Sequence, residues 1–221
     1  MEDKISFHES QIVYAFNFPK MFERSDLIKK LTAYRFKEIP EPEIIKKMKL
    51  IDTAIVSNEL GEKNNSIVFY DEHNKVLGVK GTNFRDVFLV FQELENLLDT
   101  EFDVDFGEVV NFIEGATTIQ VKTDNNAKKM IKDYLDNYNR FDKIFGEKTY
   151  LSTIRIIPED KNISDRVWFD MLIEPFLSNP KKYFIRFVFR DSDIIKFKTY
   201  ADNINSYVSG VIDTIEGGIR N

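Results

Sequence analysis

The sequence has no cysteine, which excludes disulfides, thiolate catalysis and cysteine-based zinc sites. Histidine is almost as scarce, because His8 and His73 are the only two, and their positions favour polar surface roles. No apolar run approaches the roughly 20 residues of a membrane-spanning helix, and the N-terminus lacks the features of a signal peptide. We therefore expect a soluble, cytoplasmic protein that has no membrane partner.

Sequence motifs of known catalytic and cofactor sites are also missing. The nine glycines do not cluster ahead of a helix, so no phosphate-binding loop and no dinucleotide fingerprint is present. There is no Gly-x-Ser-x-Gly elbow and no His-Glu-x-x-His helix. We expect no cofactor and no metal site built on histidine, and the sequence leaves open whether the chain is an enzyme.

The chain is acidic and rich in large apolar side chains. It carries 31 Lys and Arg against 37 Asp and Glu, a net charge of -6, which makes non-specific binding to nucleic acid unfavourable. Its 20 Phe and nine Tyr, within a hydrophobic fraction of 43%, are sufficient for a substantial core. These features are typical of a globular protein of one large domain or two small ones.

The clearest structural signal is a strand that leads directly into a long helix over residues 183–217. The odd positions of the strand are apolar and its even positions are mixed, a period of two that predicts one buried and one open face. Asp191 and Asp193 can cap the helix that follows, and Gly217 can end it. The apolar stripe of that helix has alternating steps of three and four, and consists of Ile194, Phe197, Ala201, Ile204, Val208, Val211 and Ile215.

The same strand–helix pattern occurs about 110 residues earlier. A shift of 110 places five positions of the later stripe on Phe84, Val87, Phe91, Leu94 and Leu98. The predicted order of elements in both regions is strand, helix, three strands, helix. We therefore predict an α+β fold of two similar βαβββα halves, residues 1–103 and 104–221, that form an extended antiparallel sheet with helices packed on one face.

This order of elements resembles the saddle fold of the TATA-binding protein and related helix-grip folds. The resemblance concerns architecture alone, since no motif of that family occurs in the chain. It implies nothing about activity, because one fold can carry many unrelated functions.

An acidic stretch between Arg85 and Lys122 contains no basic residue, and its carboxylates alternate over residues 99–108. Oxygen clusters of this kind favour hard cations such as calcium or magnesium, although the spacing departs from the EF-hand loop. A carboxylate-dependent metal-binding protein or enzyme is therefore one functional hypothesis. A solvated linker between the two halves explains the same pattern.

The open face of the second half gives the other hypothesis, a non-catalytic binding or interaction module. Strand alternation places the only tryptophan and three arginines on this face, and Trp and Arg are enriched at interaction hot spots. A homodimer contact, another protein partner and a self-neutralised face with pairs such as Asp170–Arg186 and Glu174–Arg190 all fit the pattern. The predicted site residues, which we expect to be exposed together, are Arg155, Trp168, Arg186 and Arg190.

Overall fold

The structure is a computed structural model, and it describes residues 4–18, 21–39, 58–135 and 142–217. The described strands are β1 (Ile5–Phe16), β2 (Lys37–Glu38), β3 (Glu59–Lys63), β4 (Ser66–Asp71), β5 (Val76–Gly81), β6 (Val110–Lys122), β7 (Ile154–Ile156), β8 (Trp168–Pro175) and β9 (Lys182–Asp191). The described helices are α1 (Arg24–Ala33), α2 (Phe84–Phe102), α3 (Phe106–Val109), α4 (Ala127–Tyr134), α5 (Asp142–Phe145), α6 (Ile194–Asp202) and α7 (Ile204–Gly217).

The protein is α+β, and the nine strands of the described residues form one large antiparallel sheet in the order β2-β3-β4-β5-β1-β6-β9-β8-β7. β4 and β5 pair as a hairpin, and β1 adds to the other side of β5 with Val13 opposite Gly78. The β3–β4 hairpin turns at Asn64 and Asn65, which both have positive φ, the conformation of a type I′ turn. An α+β fold with an extended antiparallel sheet was predicted, and this part of the prediction is confirmed.

The chain divides into two compact units, each assembled from separate stretches. Unit 1 contains residues 1–8, 116–189 and 194–221, and unit 2 contains residues 9–115 and 190–193. The sequence-based boundary between residues 103 and 104 stays a prediction.

The core of unit 2 lies between the sheet and α2. Tyr14 of β1 stacks on Phe91 of α2 with a centroid distance of 4.5 Å. Asn83 caps α2 by accepting a hydrogen bond from the Arg85 backbone N–H at 2.9 Å, as the sequence predicted. The buried residues of α2 repeat with helical spacing because one face of it packs against strands: Phe84, Val87, Phe88, Val90, Phe91, Leu94, Leu97 and Leu98.

The core of unit 1 lies between β9 and the helices that follow it. Phe189 of β9 stacks on Phe197 at 5.0 Å and on Tyr200 at 5.8 Å between ring centroids. The single long helix predicted after β9 is wrong in detail, because the helix is divided at Asn203. The Asn203 side-chain amide donates to the Thr199 carbonyl at 2.8 Å, which competes with regular helix propagation.

Three other boundaries differ from the predictions. Residues 59–63, expected to form a polar turn, are strand β3, and a short helix α3 precedes β6 where a continuous strand was expected from residue 104. β7 covers residues 154–156 rather than the expected 150–157. The predicted helical turn over residues 43–49 and strand over residues 50–57 lie outside the described residues.

Candidate functional site

The open face of unit 1 is the sheet surface on the side away from the buried core of β9. Along β9, the odd positions are buried and the even positions are partly or fully exposed, as the period of two predicted. The same alternation orients β8, and Arg155 of β7 lies opposite Leu172. We define the open face as Arg155, Trp168, Asp170, Leu172, Glu174, Lys182, Phe184, Arg186 and Val188.

Arg155 and Asp170 form a two-point ion pair across β7 and β8. The Arg155 Nε and Nη2 atoms donate to the two Asp170 carboxylate oxygens at 2.9 and 2.8 Å. These hydrogen bonds to Asp170 raise the pKa of Arg155, and the negative charge of Asp170 raises it further. The pairing fixes the guanidinium on the face, and the alternative Asp170–Arg186 pair suggested by the sequence is not formed.

Arg186 is the one predicted site arginine that pairs with no carboxylate among the described residues. It is exposed on β9 between Phe184 and Val188, which are both half-buried on the same face. Its guanidinium makes no hydrogen bond and no ion pair with any of the described residues. A guanidinium has five N–H donors suited to a carboxylate or phosphate, so Arg186 is available for an anionic group.

Trp168 does not protrude from the face. Its exposed fraction is 6%, so the expectation that it would be exposed with the arginines is wrong. Burying an indole removes a large apolar area from water, and this favours packing of the ring over exposure on the sheet. The Trp168 ring is therefore not presented to a partner.

Arg190 is also unavailable, and it belongs to unit 2. Its Nε donates to a Glu114 carboxylate oxygen at 3.0 Å, and its guanidinium lies 4.0 Å from the centroid of the Phe112 ring. The Arg190 side chain is only 12% exposed. Arg190 thus pairs with Glu114 of β6, where the sequence suggested Glu174.

An aromatic pair and a lysine occupy one end of the open face. Phe176 stacks on Phe184 at 6.5 Å, and the Lys182 ammonium lies 5.8 Å from the Phe176 ring centroid. Lys182 also donates to Gln120 Oε1 at 2.9 Å. The open face contains three cations and two carboxylates, a net charge of +1 on a chain of net charge -6.

The acidic stretch of residues 99–108 has structural roles in unit 2. Glu101 accepts hydrogen bonds from Lys30 and Tyr34, and Lys30 lowers the pKa of Glu101. Asp103 ends α2 in the left-handed conformation, and Asp105 caps α3 by accepting from Gly107 N at 3.0 Å. Among the described residues, no group of three or more His, Asp or Glu side chains could hold a metal ion.

A carboxylate network at the end of α7 has no counterpart in the sequence predictions. The Glu216 carboxylate accepts from the Tyr183 hydroxyl at 3.0 Å, from the Asn125 amide at 2.9 Å and from the Thr123 hydroxyl. Burial raises the pKa of Tyr183, and the charge of Glu216 raises it further. Thr123, Asn125 and Glu216 of this network line a cleft of about 70 Å³. No local sequence pattern connects these distant positions.

Comparisons with protein-family models, with curated proteins and with solved structures found no significant match to this chain. Among the helices of the described residues, none is both long and apolar enough to cross a membrane.

Proposed function

We propose that the protein is a non-catalytic binding module, and that the open face of unit 1 binds an acidic surface segment of a protein partner. The observation that carries this proposal is Arg186, an exposed arginine without a partner among the described residues. Arg186 lies between two half-buried apolar side chains of the same face, Phe184 and Val188. A single partner can therefore form an ion pair with Arg186 and pack against the apolar side chains beside it.

The surroundings of Arg186 match the composition of a protein interface. Leu172, Phe184 and Val188 are half-buried and supply apolar area. Interfaces between proteins combine an apolar centre enriched in aromatic residues and arginine with a polar rim. The Arg155–Asp170 pair lies on the same face and is already ordered, so a partner gains a preorganised surface.

Charge complementarity favours an acidic protein segment. The net charge of +1 on the open face contrasts with the acidic remainder of the chain, so an acidic partner is attracted to this face and repelled elsewhere. A nucleic acid is disfavoured, because phosphate-backbone binding typically uses about 6–10 cationic contacts. The proposal includes a cytoplasmic location, which the lack of cysteine supports.

We further propose that the two halves arose by duplication and share a saddle-like arrangement. The strand order supports this proposal. From one end of the sheet inward, β2 is followed by β3, β4, β5 and β1. From the other end inward, the order is β7, β8, β9 and β6, so three consecutive strands followed by the opening strand occur on both sides. In each half the strand preceding the last helical region lies beside the strand that opens the half. An experimental structure in which no rotation superposes β3–β5 and α2 on β7–β9 and α6–α7 would contradict this.

The binding proposal is tested by selecting a displayed random-peptide library on the intact protein. We expect the enriched peptides to carry Asp or Glu beside apolar residues, and Arg186→Glu to weaken their binding at least tenfold, by about 1.4 kcal/mol or more. Arg85→Glu is the matched control, since Arg85 is exposed on α2 in unit 2 and the charge change is identical. Enriched peptides without acidic residues, or equal binding by both variants, would overturn the proposal.

A further inference from the structure

β7 is the last strand of the sheet, and its outer edge has no neighbouring strand in the described part of the chain. An edge strand presents backbone N–H and C=O groups that can pair with another strand. The chain leading to β7 is held in place, because the Thr149 backbone N–H donates to Asp142 Oδ1 at 2.6 Å. The Lys128 ammonium also lies 4.8 Å from the centroid of the Tyr150 ring. These contacts hold residues 149 and 150, shortly before β7 begins.

At the opposite end of the sheet, a short additional strand covers the corresponding position. β3, the counterpart of β7 in the proposed duplication, is covered by β2, with Lys37 opposite Glu62. In the described residues no strand covers β7 in this way. The segment around β7 is also apolar and exposed, with exposed fractions of 37% for Leu151 and 49% for Ile157. Natural edge strands are commonly kept short or carry charges or proline against unwanted pairing. β7 has three residues and one charge, Arg155, which is held by Asp170, and the nearest following proline is Pro158, after the strand.

We propose that two copies of the chain dimerise by antiparallel pairing of β7 with β7 across a twofold axis at Ile154. In this register Ile154 lies opposite Ile154 of the second copy. Leu151 then lies opposite Ile157, so both exposed apolar residues are covered twice in one dimer. Arg155 lies opposite Thr153, and Ile156 opposite Ser152, so no like charges face each other.

The neighbouring symmetric registers are less complementary. Centring the axis on Arg155 would place two arginines directly opposite each other, about 4.5–5.5 Å apart between Cβ atoms, which is destabilising. Centring it on Thr153 would place Leu151 opposite Arg155 and Ile157 opposite Thr149, so neither apolar residue would face another apolar residue. The register centred on Ile154 is thus selected by apolar matching and charge together.

The dimer goes beyond the proposed binding function and does not depend on it, because it uses the edge of β7 rather than the surface around Arg186. The structure has β7 over residues 154–156. The proposed pairing extends this strand to residues 151–157, where alternation would place residues 151, 153, 155 and 157 on the side of the open face. The open faces of the two copies would therefore continue across the dimer, and Arg155 of each copy would lie near the junction.

The absence of cysteine makes a direct test possible, since each introduced cysteine is the only thiol in the chain. Ile154→Cys places two sulfurs directly opposite each other, within the roughly 4.4–6.8 Å between Cα atoms that a disulfide spans. Thr153→Cys is the matched control, because in this register its two copies are diagonal, about 7–8 Å apart. We expect oxidation to yield covalent dimers with Ile154→Cys and at least tenfold fewer with Thr153→Cys.

A charge exchange at two exposed positions tests the register and the dimer without a thiol. Leu151→Glu with Ile157→Glu places like charges opposite each other, and we expect sedimentation to show only the 26.0 kDa monomer. Leu151→Glu with Ile157→Lys places opposite charges there, and we expect the dimer to return. Circular dichroism of both variants checks that the monomer is folded.

The proposal is overturned by either of two results. One is a wild-type chain that stays monomeric up to about 1 mM, since pairing weaker than that corresponds to less than about 4 kcal/mol. The other is a dimer that both charge variants affect equally, or that forms disulfides as readily through residue 153 as through residue 154.

Discussion

Gly78 is the position where one added carbon atom should disturb the sheet most. Gly78 lies on β5 between β4 and β1, opposite Phe69 on one side and Val13 on the other. An alanine Cβ there would lie 2.5 Å from the Ile12 carbonyl oxygen and 2.6 Å from Val13 Cγ1. Carbon atoms pack best at about 3.5–4.0 Å, so β1 and β5 would have to separate.

The magnitude follows from two opposing terms. Overpacking of this kind destabilises by about 1–3 kcal/mol, and weakened ladder hydrogen bonds add about 1 kcal/mol each. Replacing glycine restricts the unfolded chain and returns about 0.4–1 kcal/mol. We expect Gly78→Ala to lower the free energy of unfolding by about 2 kcal/mol, which corresponds to about 4–8 °C in Tm for a chain of this size.

The assay is thermal unfolding of the intact protein followed by circular dichroism, with Gly210→Ala as the matched control. Gly210 lies inside α7, and an alanine Cβ there would meet no other heavy atom within 4 Å. Since alanine favours a helix over glycine by about 1 kcal/mol, Gly210→Ala should raise Tm. A Gly78→Ala protein as stable as wild type, or both variants shifting in the same direction, would refute the reasoning.

Three other substitutions test separate contacts. Asn83→Ala removes the cap of α2 and should destabilise by about 1 kcal/mol in urea unfolding, whereas Asn83→Asp should keep most of it. Glu114→Ala removes the carboxylate that holds the largely buried Arg190, and we expect a loss of about 2–3 kcal/mol in the same assay. Burial raises the pKa of Tyr183, so the native state keeps the hydroxyl proton above about pH 10 while the unfolded state loses it. The folding equilibrium constant therefore falls by up to about tenfold per pH unit above about pH 10, and Tyr183→Phe should flatten that fall. A Tyr183→Phe protein whose stability falls with pH as steeply as that of wild type would contradict the Tyr183 prediction. Unchanged free energies of unfolding in Asn83→Ala or Glu114→Ala would contradict the other two.

The elements that the sequence predicted well are those set by local periodicity. β9 and the stripe of α2 alternate with periods of two and 3.6 because each has one face against the core, and Asn83 is a local cap. The break at Asn203 depends on a side chain competing with the helix backbone, which periodicity does not register.

The candidate site was predictable as a face but not as a set of contacts. Alternation predicted the exposure of Arg155 and Arg186, which the structure shows, but not the burial of Trp168. Which carboxylate holds Arg155 depends on the β7–β8 register, and the burial of Trp168 depends on neighbours far away in sequence. Pairing between distant segments is decided by the whole sheet, so single-sequence patterns do not determine it.

The most direct test of the binding proposal uses Trp168, the only tryptophan of the chain, as a fluorescent reporter inside the open face. The peptide most enriched in the library selection is titrated into wild type, Arg186→Glu and Arg85→Glu, and the emission of Trp168 is followed. We predict that the emission of wild type and of Arg85→Glu changes and reaches saturation. The peptide concentration at half-saturation should be at least tenfold higher for Arg186→Glu. Identical titration curves for all three proteins would contradict the assignment of the open face as the binding surface.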